Sequence, residues 1–198
     1  MRDYWSRSFR RPRGIQVSVF DDLLAANEDF SAAFTDAELT GKAARGLAVV
    51  TCMDSRIDPL GLFGLKPGDA KILRNAGARV TDDVLRTLVL AVYLLGVKRV
   101  LVMPHTDCGM SKVTDDDVHE LAARHGVDTR SLEFHTVPDQ NAALRHDLMR
   151  IGTSPFLPPD LPVGGAIYDV RTGKLMPIEM WTGRGQDSPP LDPGGTAR

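Results

Sequence analysis

Two short stretches of this chain are apolar without alternation, and they restrict its fold more than anything else in it. Gly46 to Cys52 reads GLAVVTC, and Lys98 to His105 reads KRVLVMPH. A strand with one face in water alternates apolar and polar residues, whereas a strand buried on both faces does not. Both stretches are therefore expected as inner strands of a parallel sheet. The proline of the second falls at its end, where a missing N–H costs little. Around them the pattern turns helical. Val80 to Gly96 has Thr81 as N-cap, acids in its first turn and Gly96 as its stop. Ala70 to Gly77, AKILRNAG, reads as a strand closing in a glycine turn. Asp115 to His125 and Asp139 to Ile151 read as helices, and Ser18 to Phe34 as one amphipathic helix or two short ones. Ser131 to Val137, SLEFHTV, reads as a fourth strand, and Gly164 to Met180 as a hairpin about a Thr-Gly turn. Strands alternating with helices imply an α/β fold: a central, mostly parallel β-sheet flanked by helices.

The chain has 198 residues, enough for one domain with a substantial core. That domain is expected over residues 18–181, after a basic arm at 1–17 and before a Pro/Gly-rich tail at 182–198, both expected to be disordered. A net charge of −2 gives no reason to expect nucleic acid or an anionic membrane as partner. No run approaches the roughly 18–20 apolar residues of a membrane helix. The N-terminal MRDYWSRSFRRPRG has no apolar segment behind its charges, unlike a secretory signal, so a cytoplasmic location is expected. In that compartment a disulfide is disfavoured, and a cysteine that matters is expected to bind metal or take part in catalysis.

In an open parallel sheet the ligand site lies at the carboxyl ends of the strands. Cys52 ends the first inner strand and His105 ends the other. Cys108 follows His105 by three residues, in VLVMPHTDCGM. Two thiolates and an imidazole form a donor set suited to zinc, and three protein ligands leave a fourth position for water, as at a catalytic site. Asp54 could fill that position. Arg56, two residues on, could instead hold Asp54 off the metal, since residues two apart in an extended segment face the same side. A pair of unrelated thiols, or a redox pair, is the competing reading. The redox pair lacks the Cys-x-x-Cys spacing and explains neither His105 nor Arg56. His119, His125 and His146 read as solvated, and His135 as a core or edge residue of the fourth strand. The acid run at Thr114–Asp117 reads as a helix start.

CMDSR, RNAG and HTDC, in this order, resemble the β-class carbonic anhydrases, especially their short bacterial and archaeal members. The resemblance runs from about Asp21 to about Met180. It implies one zinc ion per chain on Cys52, His105 and Cys108, with Asp54 as an additional ligand in a closed, inactive state. It implies Asp54 and Arg56 as the catalytic pair, and Asn75, Ala76 and Gly77 as the pocket beside the metal. It also implies a homodimer or higher homo-oligomer in which the Ser18–Phe34 helix packs onto a partner. The implied reaction is reversible hydration of carbon dioxide to bicarbonate and a proton by zinc-bound hydroxide. Two thiolates make that water less acidic than an all-histidine site would, so activity is expected to rise above neutral pH. The alternatives are hydrolysis of carbonyl sulfide or carbon disulfide at the same site, and a non-catalytic, zinc-stabilised binding or sensing domain.

Overall fold

The computed structural model describes residues 19–181. The expected basic arm and the expected tail lie outside them. The described residues divide after Leu39 into two units. The first holds a single helix, α1 (Asp21–Ala32), which buries none of its residues.

The second unit is built on a five-stranded sheet. Its strands are β1 (Leu47–Cys52), β2 (Ala70–Asn75), β3 (Arg99–Met103), β4 (Val163–Tyr168) and β5 (Leu175–Trp181). They lie in the order β2-β1-β3-β4-β5. The first four run parallel, and β5 closes the sheet as an antiparallel hairpin with β4. The apolar runs occupy the positions expected of them. Val49 and Val50 are both fully buried, on opposite faces of β1, and Val102 and Met103 do the same for β3.

One face of the sheet is covered by α3 (Asp82–Tyr93), through Val84, Leu88 and Ala91, and by α5 (Gln140–Gly152), through Leu144, Leu148 and Ile151. The helix α5 lies so close to β4 that a Cβ on Gly165 would stand 2.7 Å from Leu148 Cδ1. Thr81 caps α3 as expected. Thr114 caps α4 (Asp115–Arg124) in a reciprocal box with Asp117, so the acid run is a helix start. The other face carries a smaller cluster that includes Val49, Cys52, Ile57, Ala78, Met103 and Cys108. A single turn of helix, α2 (Pro59–Leu62), follows β1 and is capped by Asp58.

One expected element is absent. Ser131–Val137 is a loop, and the fourth parallel strand is Val163–Tyr168. The segment's donors are engaged elsewhere. Asp115 accepts from the N–H groups of Phe134 and Thr136 and from the Thr136 hydroxyl, at 2.8, 3.0 and 2.6 Å. Val137 N–H donates to the Met110 carbonyl at 2.8 Å. His135 takes a positive φ of 56°, which no strand accommodates. His135 is therefore a loop residue 3.7 Å from Glu133, neither core nor edge of a strand. Among the described residues no helix is long and apolar enough to cross a membrane.

Candidate metal centre

The adjacent parallel strands β1 and β3 end at one rim of the sheet, and this brings the three ligand candidates together. Cys52 is the last residue of β1 and is held below the surface by its strand neighbours. Beyond Met103, Pro104 presents no N–H, but its carbonyl accepts from Tyr168 N–H at 2.9 Å. Thr106 N–H donates to the Tyr168 carbonyl at 2.8 Å, which ties the His105 loop to the end of β4. His105 is fully buried. Cys108 opens a short 3₁₀ turn at Gly109–Ser111.

The donor atoms of Cys52, His105 and Cys108 all lie within 4.8 Å of one another, and all three residues are buried. The two sulfurs are 4.0 Å apart. Two thiolates on one tetrahedral zinc, each at about 2.3 Å, would stand about 3.8 Å apart. His105 Nδ1 is 2.9 Å from the Thr106 carbonyl, the partner that fixes a ligating imidazole and turns Nε2 toward a metal. His105 Nε2 is buried with no hydrogen-bond partner among the described residues. A buried polar atom without a partner is costly, and an ion between these three donors removes that cost. The residues present fit zinc.

The charges point the same way. The hydrogen bond from Cys108 draws the Cys52 thiol well below its ordinary range against the opposing effect of burial, and His105 adds to the shift. The same hydrogen bond and burial push Cys108 upward, so the pair shares one proton. Burial is the largest influence on His105 and opposes its charge, yet Cys52 turns the net shift upward. The thiolate form of Cys52 is thus favoured by its neighbours, and the thiolate is the form that binds metal.

Asp54 and Arg56 stand at the edge of this cluster. They are not an extended Asp-x-Arg pair as expected. Arg56 N–H donates to Asp54 Oδ1 at 2.9 Å and Ile57 N–H to the Asp54 carbonyl at 3.1 Å, so the segment is a tight turn. That turn still forks the guanidinium onto the carboxylate, Nε to Oδ1 at 2.9 Å and Nη2 to Oδ2 at 2.7 Å. The Arg56 hydrogen bonds hold the Asp54 carboxyl far below the usual carboxylate range. Asp54 Oδ2 lies 3.7 Å from His105 Nε2.

Asn75 is the parallel partner of Cys52, which puts the Asn75–Gly77 turn beside the first ligand. Its amide does not point freely into a pocket. Nδ2 donates to the Arg79 carbonyl at 2.7 Å, and Oδ1 accepts from Arg79 N–H at 2.8 Å. Asn75 thus staples the turn that contains Ala76 and Gly77. Gly77 has φ 79° and lies under Met110 and Val137, where a Cβ would sit 3.4 Å from both side chains. A backbone hydrogen bond from Gly77 contributes to holding Cys52 ionised.

Three residues at or behind the site were not singled out from sequence. Asp107 accepts from Arg56 Nη1 at 3.0 Å, and Arg79 forks onto the buried Asp147. An aspartate in a loop and a distant Arg–Asp pair carry no local signal. His119 is half-buried against Thr129 and Phe134 rather than solvated, while His125 and His146 are exposed as expected.

A family model described as carbonic anhydrase matches residues 47–175, which contain every residue named at the site. Beta-carbonic anhydrase 1 of Mycobacterium tuberculosis is 37% identical over 159 residues, covering 80% of this chain and 97% of the relative. Among solved structures, a carbonic anhydrase from Streptococcus mutans has a TM-score of 0.78 and 39% identity, covering 83% of this chain and 100% of that one. A carbon disulfide hydrolase of Saccharolobus solfataricus is 30% identical over 157 residues, covering 66% of this chain and 76% of the relative.

Proposed function

We infer that this chain, which belongs to the carbonic anhydrase family, catalyses the reversible hydration of carbon dioxide to bicarbonate and a proton. The observation that carries this reading is the convergence of Cys52, His105 and Cys108 around a buried, unpartnered Nε2, with an arginine-held carboxylate 3.7 Å away.

Cys52 Sγ, His105 Nε2 and Cys108 Sγ would hold zinc. When bound, zinc lowers the pKa of a coordinated water so that hydroxide is available near neutral pH. The residues of the chain then have separate tasks. Burial of the three ligands keeps bulk water from the thiolates and the imidazole. Asp54 accepts the hydrogen bond of the attacking hydroxyl and orients its lone pair toward the carbon of carbon dioxide. Arg56 keeps the Asp54 carboxylate ionised and fixed in that role through its two-nitrogen grip. Asn75, Ala76 and Gly77 form the wall beside Cys52, and the staple on Arg79 keeps that wall in place. With zinc bound, buffer would take the proton released in the hydration.

A homodimer or higher assembly suits the surfaces. The helix α1 exposes Phe20's neighbours Leu23 and Leu24 as well as Phe30. In the second unit, Leu47, Ile72, Leu101 and Leu175 are only partly buried on the sheet face away from α3 and α5. The 30% identity to a carbon disulfide hydrolase supports a second reading, in which the same site hydrolyses carbon disulfide or carbonyl sulfide.

The deciding measurement is stopped-flow carbon dioxide hydration on zinc-loaded protein from about pH 7 to 9, the range set by two thiolate ligands. Activity that rises with pH is expected. Its absence at every pH, with zinc bound, overturns the reading. Sulfide release from carbon disulfide would then favour the second one, and its absence a zinc-stabilised binding domain.

A further inference from the structure

We propose that Asp107 is a positioning residue that holds Arg56 on Asp54 and so keeps the Asp54 carboxylate out of the metal's remaining position. This rests on the zinc-site reading above. The Arg56 fork uses Nε and one N–H of Nη2 on Asp54. Asp107 takes two more of the five guanidinium N–H groups. Its Oδ2 accepts from Nη1 at 3.0 Å and its carbonyl from Nη2 at 3.2 Å. Lys112 Nζ donates to the other carboxylate oxygen of Asp107 and holds it in turn.

Arg56 needs such a restraint. Its side chain is 44% exposed, and an exposed ion pair by itself contributes little against the freedom of a long side chain. Asp107 lies between His105 and Cys108, in the loop both ligands anchor. It adopts φ 58°, a left-handed conformation that costs a non-glycine residue about 1 kcal/mol. The backbone of Asp54 is secured separately, because Arg74 donates to the carbonyls of Cys52 and Asp54 at 2.9 and 2.6 Å. Apart from the guanidinium, the Asp54 carboxylate is held among the described residues through Oδ1 alone, by the Arg56 backbone N–H at 2.9 Å. Its Oδ2 depends on Arg56 Nη2 and stands 3.7 Å from His105 Nε2, so loss of the fork leaves this side of the carboxylate free to turn. Freed from Arg56, it is already beside the metal's ligands and competes for the open position.

The left-handed φ supplies a clean variant. Glycine adopts φ 58° without strain, so Asp107→Gly deletes the carboxylate and spares the loop, while Asp107→Asn keeps one acceptor. Three quantities are to be measured: zinc release to excess chelator, the absorption spectrum of the cobalt-substituted protein, and carbon dioxide hydration. Asp107→Gly is expected to release zinc about tenfold more slowly, to change the cobalt spectrum, and to hydrate about 10- to 100-fold more slowly. Asp107→Asn should fall between it and wild type. In an Asp54→Asn background, Asp107→Gly should leave release and spectrum unchanged. Unchanged or faster release in the single variant overturns the proposal, as does a slowing that persists in the Asp54→Asn background. If wild type itself fails to hydrate carbon dioxide, the functional reading falls, and release and spectrum still decide the role of Asp107.

Discussion

Arg56 and Arg79, on either side of the Asn75–Gly77 turn in sequence, each grip an aspartate with two nitrogens, and their surroundings give them opposite characters. Arg56 holds Asp54 at the mouth of the metal centre, with side chains 44% and 18% exposed. Arg79 holds Asp147 behind it, with side chains 16% and 3% exposed. Arg79 reaches from the end of the Asn75 turn to α5, and its Nη1 also donates to the His135 carbonyl at 3.1 Å. Three segments distant in sequence are thereby fastened together directly behind Gly77. The same chemical pair is a fixed brace where water is excluded and a releasable hold where water has access. Burial makes the difference, because removing one partner of a desolvated pair leaves a charge that nothing else can solvate.

The largest effect that could break this contrast is expected at the brace. Asp147→Ala should cost about 3–5 kcal/mol of stability, read from urea unfolding, because it leaves the largely enclosed Arg79 guanidinium without its counter-charge. A loss below about 1 kcal/mol, the value of an ordinary surface pair, would erase the distinction. At the mouth the balance should invert. Asp54→Ala should lower carbon dioxide hydration by about 10- to 100-fold while zinc content and the unfolding midpoint stay at wild type. Full activity in that variant would remove Asp54 from the chemistry. Arg56→Lys keeps the charge and loses the fork, so hydration should fall about tenfold with stability unchanged. Equal damage to folding would mean that Arg56 is a brace as well.

The smallest expected effect sharpens the contrast with a carboxylate that has no arginine. Asp115 is held down to about 2, first by the Thr136 hydroxyl and then by the N–H groups of Thr136 and Phe134. Its folded value lies below its unfolded one. The stability it contributes is therefore complete above about pH 4 and is lost as pH falls through about 2. Asp115→Asn should cost about 1 kcal/mol at pH 7, and the difference from wild type should vanish on acidification. A difference that is constant with pH would show that the loop does not depend on the charge.

What could be read in advance was local. Unbroken apolar runs place β1 and β3 inside the sheet whatever surrounds them, because a strand wet on one face would alternate. Thr81 and Thr114 announce their helices, because capping acts within three or four residues. His-x-x-Cys puts two donors on one loop. The Asp54–Arg56 pairing was legible, although the turn that makes it was not. Ser131–Val137 misled because its β-like composition says nothing of Asp115, which takes its backbone donors from 19 and 21 residues away. The staple by Asn75 was not legible, because its partner is the Arg79 backbone, which has no sequence signature.

The sequence by itself determined the donor set, the strand ends that carry it and the acid that stands beside it. These follow from residue type and from periods of a few residues. Only the tertiary structure decided that Asp107 closes around Arg56, that Arg79 finds Asp147 across 68 positions, and that His105 Nε2 is left without a partner among the described residues. Those outcomes depend on which polar groups are withdrawn from water together. Desolvation is a property of the folded whole, and no short stretch of sequence can state it.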